Sequence, residues 1–293
     1  MSTQLKVGIS TCPNDTFAFH GILSGAIPTP GYEFDIELLD IQQLNEKLFH
    51  SEFDLAKASF HAALLLADKM LVMPAGSALG FGVGPLLLSA PGIKLPSSDP
   101  EDFRGYVKSL DTKPVVLCPG EHTTATLLYQ LFYAGSVEIR QVVFSDIMPM
   151  LQNGEADFGV CIHEGRFTWK EKQLGFVADL GEVWESQTKA ALPLGGLLGS
   201  REMSLDDLST INRFIRQSIE YGLANRDATI PTMRKYAQEF TDDVLMAHVD
   251  LYVNDWTIDL GDVGRRALGQ LAMLATTNEI VPVSFEPLTI LSN

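Results

Sequence analysis

Short apolar runs alternate with amphipathic stretches along the first two thirds of the chain. Leu5–Ser10 reads as a strand. Tyr32–Leu39 reads as a second, because Tyr32, Phe34, Ile36 and Leu38 alternate with polar neighbours. Between them, Asn14 or Asp15 is expected to cap a helix running to about Leu23, since a short polar side chain satisfies free N–H groups there. Ile41–His50 reads as a helix, Phe53–Ala58 as a strand and Phe60–Ala67 as an apolar helix. Met70–Met73 and Val83–Ser89 read as further strands. Periods of 2 and 3.6 in alternation predict a parallel or mixed sheet covered by helices.

The alternation breaks at Ala90–Pro100, a stretch rich in turn formers, and then restarts. A helix is expected near Glu101–Ser109, a strand at Pro114–Leu117, a helix at Thr123–Tyr133, a strand at Val137–Phe144, a helix at Asp146–Gln152 and a strand at Asp157–Ile162. After Leu192–Gly196 comes one possible strand, Leu197–Ser200. Four helices are expected to follow, at Leu205–Asn225, Ile230–Phe240, Asp242–Val253 and about Gly261–Asn278. The two restarts suggest a chain that enters a second lobe and returns. Residues 1–95 and 196–293 would form a first, discontinuous lobe, and residues 96–195 a second α/β lobe. Small ligands bind between lobes and beyond the carboxyl ends of sheet strands.

Composition narrows the function. The 293 residues carry 21 Lys and Arg against 37 Asp and Glu, a formal net charge of −16. An acidic chain argues against nucleic acid or anionic membrane as a partner. No run approaches the roughly 20 apolar residues of a membrane helix. Pro13, Asn14 and Asp15 interrupt any signal-peptide core after Lys6. The three cysteines, Cys12, Cys118 and Cys161, lack the spacing of a zinc site and fit a reducing compartment. A cytoplasmic protein is therefore expected.

The chemically distinctive residues fall just after predicted strands, in four groups: Ser10–Thr16, Lys57–Ser59, Pro119–Thr124 and Cys161–Arg166. Thr123 and Thr124 open a helix. Their hydroxyls and the free N–H groups there either cap that helix or hold a carboxylate, and the two roles can coexist. His163 is the best candidate base, because imidazole titrates near neutral pH and needs no metal to take a proton. Glu164 and Arg166 are candidates to set its charge or to pair with each other. Lys57 either binds an anion or extends to solvent, and Asp15 either caps a helix or binds ligand hydroxyls. His20, His61 and His248 lie within helical patterns and read as structural. Cys161, two residues from His163, reads as a buried small residue. Gly80–Gly84 lacks the strand–turn–helix setting of a dinucleotide fingerprint.

Several of these segments occur in a characteristic order. They are S-T-C-P-N-D-T-F from Ser10, K-A-S at Lys57–Ser59, G-x-G-x-G-P-L at Gly80–Leu86, H-T-T-A at His122–Ala125, I-H-E-G-R-F-T at Ile162–Thr168, L-P-L-G-G at Leu192–Gly196 and Y-V-N at Tyr252–Asn254. The ordered set covers nearly the whole chain and resembles the 1,4-dihydroxy-6-naphthoate synthase family of the futalosine route to menaquinone. Thr11 stands where many relatives carry Pro. The resemblance implies a two-lobed α/β fold of the periplasmic-binding-protein-like type II class with an interlobe cleft. It implies a lyase that converts cyclic dehypoxanthine futalosine to 1,4-dihydroxy-6-naphthoate, with His163 as proton acceptor and Lys57, Ala58, Ser59, Thr123 and Thr124 binding substrate. No metal or organic cofactor is expected, since an imidazole can handle the proton. The related chorismate dehydratase and a non-catalytic small-anion receptor are the rival readings. An acidic protein that binds an acidic substrate also needs a compensating cleft, for which Lys57, Arg166 and the helix start at His122–Thr124 are the candidates.

Overall fold

The computed structural model describes residues 2–163, 165–237, 241–282 and 286–292. Glu164 and the last residues of the helix expected at Ile230–Phe240 lie outside them. The first stretch contains β1 (Thr3–Ser10), α1 (Pro13–Ala18), α2 (His20–Leu23), β2 (Tyr32–Leu39), α3 (Ile41–Phe49), β3 (Leu55–Ser59), α4 (Phe60–Leu65), β4 (Met70–Val72) and β5 (Ala78–Gly80). The second contains β6 (Leu86–Ser89), α5 (Pro100–Ser109), β7 (Val115–Cys118), α6 (Thr124–Tyr133), β8 (Glu138–Gln141), α7 (Phe144–Gln152), β9 (Phe158–Cys161), α8 (Gly165–Thr168), β10 (Gly175–Asp179) and α9 (Leu180–Thr188). The chain closes with β11 (Leu192–Ser200), α10 (Leu205–Ala224), α11 (Arg226–Tyr236), α12 (Asp242–Tyr252), α13 (Asp255–Ile258) and α14 (Gly261–Thr277). Among the described residues no helix is long and apolar enough to cross a membrane.

The strands form two sheets. The first runs β2-β1-β3-β11-β4, with β5 also paired to β11, and the second runs β10-β6-β9-β7-β8. In the first, β1 is parallel to β2 and β3, while β11 returns antiparallel to β3, β4 and β5. β2 is an edge strand, and its alternating sequence appears as alternating half-burial and exposure. β3 lies between β1 and β11, and all five of its residues are buried. Lys57 and Ser59 are thus carried into the interior by a central strand. Gly195, opposite Ser59, is needed there because a Cβ would come within 2.6 Å of the Ala58 carbonyl oxygen.

One apolar core runs across both lobes, from Leu44 and Phe60 through Phe103, Tyr129 and Phe158 to Trp184 and Leu271. A second lies under the first sheet against α10 and α12, with Val7, Ile9, Leu197, Ile215 and Val249. A third joins β6 and β7 to α7 through Leu88, Leu117 and Ile147.

The chain changes sheets at residues 81–85 and again at 189–191. The hydropathy pattern put the first change near 95 and the return near 193–196. The turn-rich stretch before Pro100 is a loop inside the second lobe, between β6 and α5. The true crossing is short and largely buried, so its apolar composition reads as the start of a strand. It is fastened by local bonds. Gly82 N donates to Glu185 Oε1 at 2.6 Å, and Leu180 N donates to the Pro85 carbonyl at 2.9 Å. Gly84 lies so close to Gly181 that a Cβ on it would come within 2.2 Å of the Gly181 nitrogen.

Other local readings are corrected as well. Cys12 occupies the N-cap position of the first helix without a side-chain cap bond, Pro13 takes its first position, and the helix breaks at Phe19 rather than continuing to Leu23. The strand expected at Val137–Phe144 covers only Glu138–Gln141, because its partner β7 ends at Cys118 and Val143 already stands at the N-cap position of α7.

Candidate active site

The four strand-end groups converge on one cleft with an empty volume of ≈ 680 Å³. Ser10, Asn14 and Asp15 come from the β1–α1 junction, and Lys57, Ala58 and Ser59 from the end of β3. Thr123, Thr124 and Ala125 come from the start of α6, and Ile162 and His163 from the turn after β9. The first crossing adds Val83, Gly84 and Pro85, β11 adds Leu194 and Gly195, and α12 adds His248 and Tyr252. All seven singled-out residues, Asp15, Lys57, Ala58, Ser59, Thr123, Thr124 and His163, therefore line the same space. Small ligands occupy such concave sites between lobes.

Lys57 and Asp15 form a buried ion pair, with Nζ 2.7 Å from Oδ1 and side chains only 7% and 6% exposed. Lys57 Nζ also donates to the Gly76 carbonyl at 2.8 Å, which leaves one of its three donors for the cleft. Asn14 Nδ2 donates to the same Asp15 oxygen at 2.9 Å. Ser59 is held from both sides by the fully buried Asn45. Its backbone N donates to Asn45 Oδ1 at 3.0 Å, and its Oγ accepts from Asn45 Nδ2 at 3.2 Å. The Ser59 O–H stays available as a donor.

Thr123 is the cap of α6: its Oγ1 accepts from Thr126 N at 3.2 Å and donates to the Gly120 carbonyl at 2.8 Å. Thr124 Oγ1 donates to the Leu194 carbonyl at 2.6 Å, tying α6 to the returning strand. Both hydroxyls thus serve the fold. The anion-binding capacity of this corner lies in the first-turn N–H groups of Thr124 and Ala125, which helix geometry leaves without intrahelical acceptors.

His163 has a left-handed backbone (φ 54°), rare for a residue with a side chain, and its ring packs edge-on against Phe144 at 5.0 Å. Cys12 Sγ lies 3.4 Å from Nδ1 and 3.6 Å from Nε2. The thiol beside the histidine is therefore Cys12, 151 positions away in sequence, and not Cys161, which is buried in the β9 ladder opposite Leu86. His248 lies behind His163, with ring centroids 6.2 Å apart and planes 25° from parallel. Burial, reinforced by His163, pushes the His248 pKa down to about 3, so this ring is neutral. His61, under the α6 cap, is likewise pushed down to about 4 by burial and by nearby His122.

Arg166 does not supply charge to the cleft. Its guanidinium pairs with Asp179 at 2.6 Å and donates to the Gly84 carbonyl at 2.8 Å, bracing the crossing. His122 packs against Phe49 at 4.7 Å, outside the lining. With Lys57 balanced by Asp15, the favourable field for an anion comes from the start of α6.

Sequence reading missed Asn14 as more than a helix cap, together with His248, Tyr252 and the placement of Cys12. Tyr252 lies within the Y-V-N segment, which was a usable signal. The others become visible only when α12 packs against α1.

Comparison with known proteins agrees with this architecture. Residues 5–277 match a family described as menaquinone biosynthesis. The chain is 35% identical to the 1,4-dihydroxy-6-naphthoate synthase of Thermus thermophilus over 284 residues, covering 97% of this chain and 98% of that one. It is 34% identical to the enzyme of the same name from Streptomyces coelicolor, covering 95% of each. A crystal structure of an Archaeoglobus fulgidus protein, 29% identical, superposes with a TM-score of 0.85 over 95% of this chain and 98% of that one. The alkanesulfonate-binding protein of Xanthomonas axonopodis, at 13% identity, superposes with a TM-score of 0.68 over 96% of this chain and 94% of its own. That likeness establishes the two-lobed periplasmic-binding-protein-like fold. By the extent of the match and the identity to two near-full-length relatives, the chain belongs to the menaquinone biosynthesis family.

Proposed function

We propose that the protein is a cytoplasmic 1,4-dihydroxy-6-naphthoate synthase that converts cyclic dehypoxanthine futalosine by carbon–carbon cleavage. The observation that carries this reading is the convergence of His163 with the α6 N-terminus, Ser59 and the Lys57–Asp15 pair in one cleft. The substrate carboxylate accepts from the first-turn N–H groups of α6 and, through its remaining donor, from Lys57. Ser59 and Asp15 orient the oxygens of the sugar-derived part. His163 removes a proton, which starts ring opening and fragmentation, and aromatisation of the second ring drives the step forward. General-base catalysis of this kind contributes about 100- to 10,000-fold. Enclosure between the lobes adds orientation and keeps water out.

The test is direct. Purified protein is mixed with cyclic dehypoxanthine futalosine, and naphthoate is followed by mass spectrometry. His163→Asn should lower kcat by at least about 100-fold while the fold and substrate binding persist. Near-normal turnover in that variant would remove His163 from the base role. Binding without product in the unaltered protein would favour a receptor, and water loss from chorismate would favour the dehydratase.

A further inference from the structure

His248 has no part in the reading above, yet it forms the wall behind His163. It is 3% exposed, and its Nε2 lies 3.0 Å from Asn14 Oδ1. The orientation of that amide follows from its other end. Asn14 Nδ2 is 2.9 Å from Asp15 Oδ1, a carboxylate oxygen that also receives Lys57 Nζ at 2.7 Å. A carboxylate only accepts, so the amide must present its N–H to Asp15 and its carbonyl to His248. A carbonyl also only accepts, so His248 Nε2 must carry the proton. The ion pair therefore dictates a tautomer two hydrogen bonds away.

We propose that Asn14 and His248 are positioning residues for His163. Asn14, oriented by Asp15, holds His248 as the neutral Nε2–H tautomer, and this uncharged ring is the wall against which His163 takes its proton. The inference rests on His163 as the base. A second imidazolium about 6 Å away would weaken that base on the order of 100-fold at an effective dielectric of about 20. Burial opposes a proton at His248 Nδ1, in line with its lowered pKa.

The surrounding charges are consistent with a neutral ring. From α1 and β3, Asp15 and Lys57 face it through Asn14 and cancel each other. Cys12, at the N-cap position of α1, brings its thiol to His163. On its own helix the Tyr252 ring lies 4.6 Å away. The Arg226–Asp250 and Arg234–Asp242 pairs joining α11 and α12 are exposed and internally balanced. β5, also packed on α12, brings no ionisable side chain.

Two measurements test this. Long-range proton–nitrogen NMR of the 15N-labelled protein, without substrate, should show His248 protonated at Nε2, bare at Nδ1 and not titrating between pH 5 and 8. Asn14→Leu should give mixed tautomers. In turnover assays, His248→Leu should lower kcat about 10-fold or more with KM changed less than about threefold. His248→Gln, which keeps an N–H donor for Asn14, should recover most of the loss. A His248 signal that titrates in that range, a proton on Nδ1, or a folded His248→Leu with normal kcat would each overturn the proposal. The NMR arm needs no substrate, so it fails separately from the base assignment, which His163→Asn tests.

Discussion

Replacing Lys57 by methionine removes one half of an ion pair whose side chains are 7% and 6% exposed. Methionine keeps the length of the chain and its apolar contacts in β3, so the change is chiefly electrostatic. Asp15 is left with the Asn14 amide at 2.9 Å and no cation. Breaking a buried pair from one side costs about 3–5 kcal/mol, because a desolvated charge stays behind. At roughly 2.1 cal/mol/K per residue, 293 residues unfold with an entropy of about 0.6 kcal/mol/K. The expected fall in Tm is therefore about 5–8 °C, read by calorimetry at pH 7. Asp15→Asn should be destabilising for the converse reason, since it strands the ammonium with the Gly76 carbonyl. The double variant Lys57→Met/Asp15→Asn carries no charge there, so its loss should be smaller than the sum by about 1–3 kcal/mol. A Tm fall under about 1 °C for Lys57→Met, or strictly additive losses, would refute the electrostatic account of this corner.

Two further outcomes follow from residues around the cleft. His61 and His248 are held neutral, with folded pKa values of about 4 and about 3 against an ordinary 6.5. The unfolded chain therefore takes up protons first. Stability from the two rings is complete above about pH 6.5 and is lost as pH falls towards those folded values, by about 2–3 kcal/mol per unit near pH 5. His61→Gln should cut proton uptake on unfolding at pH 5 by about one, measured as the slope of urea-derived stability against pH. An unchanged slope would contradict a neutral His61. Thr123→Ala, which deletes the α6 cap, should lower stability by about 1 kcal/mol, with Thr123→Ser restoring most of it. An Ala variant with the normal denaturation midpoint would rule out the capping role.

The parts of the molecule legible in the sequence are those governed by local periodicity. β2 was readable because one face is half-buried and the other wet. The loops carrying Lys57, Thr123 and His163 were readable because polar residues interrupt apolar strands at their ends. The three-residue β5 offered too short a pattern, and edge strand β10 passes from half-exposed to buried without alternation. The sheet crossing at 81–85 was hidden by its own burial. Partnerships across the chain were also hidden. Arg166 finds Asp179 at the end of β10, and Cys12 meets His163 only after two sheets are assembled. Asn14 gave no local sign that its amide would face a histidine 234 positions later.

The two internal ion pairs, Lys57–Asp15 and Arg166–Asp179, also shape how a ligand arrives. Each cation near the cleft is matched by a carboxylate within 2.7 Å, while the molecule as a whole carries −16. An approaching anion is therefore repelled at long range, and the dipole field at the start of α6 acts only over about the length of its first turn. Capture is a short-range event, and salt, which shortens the reach of the repulsion to about 8 Å at physiological strength, favours it.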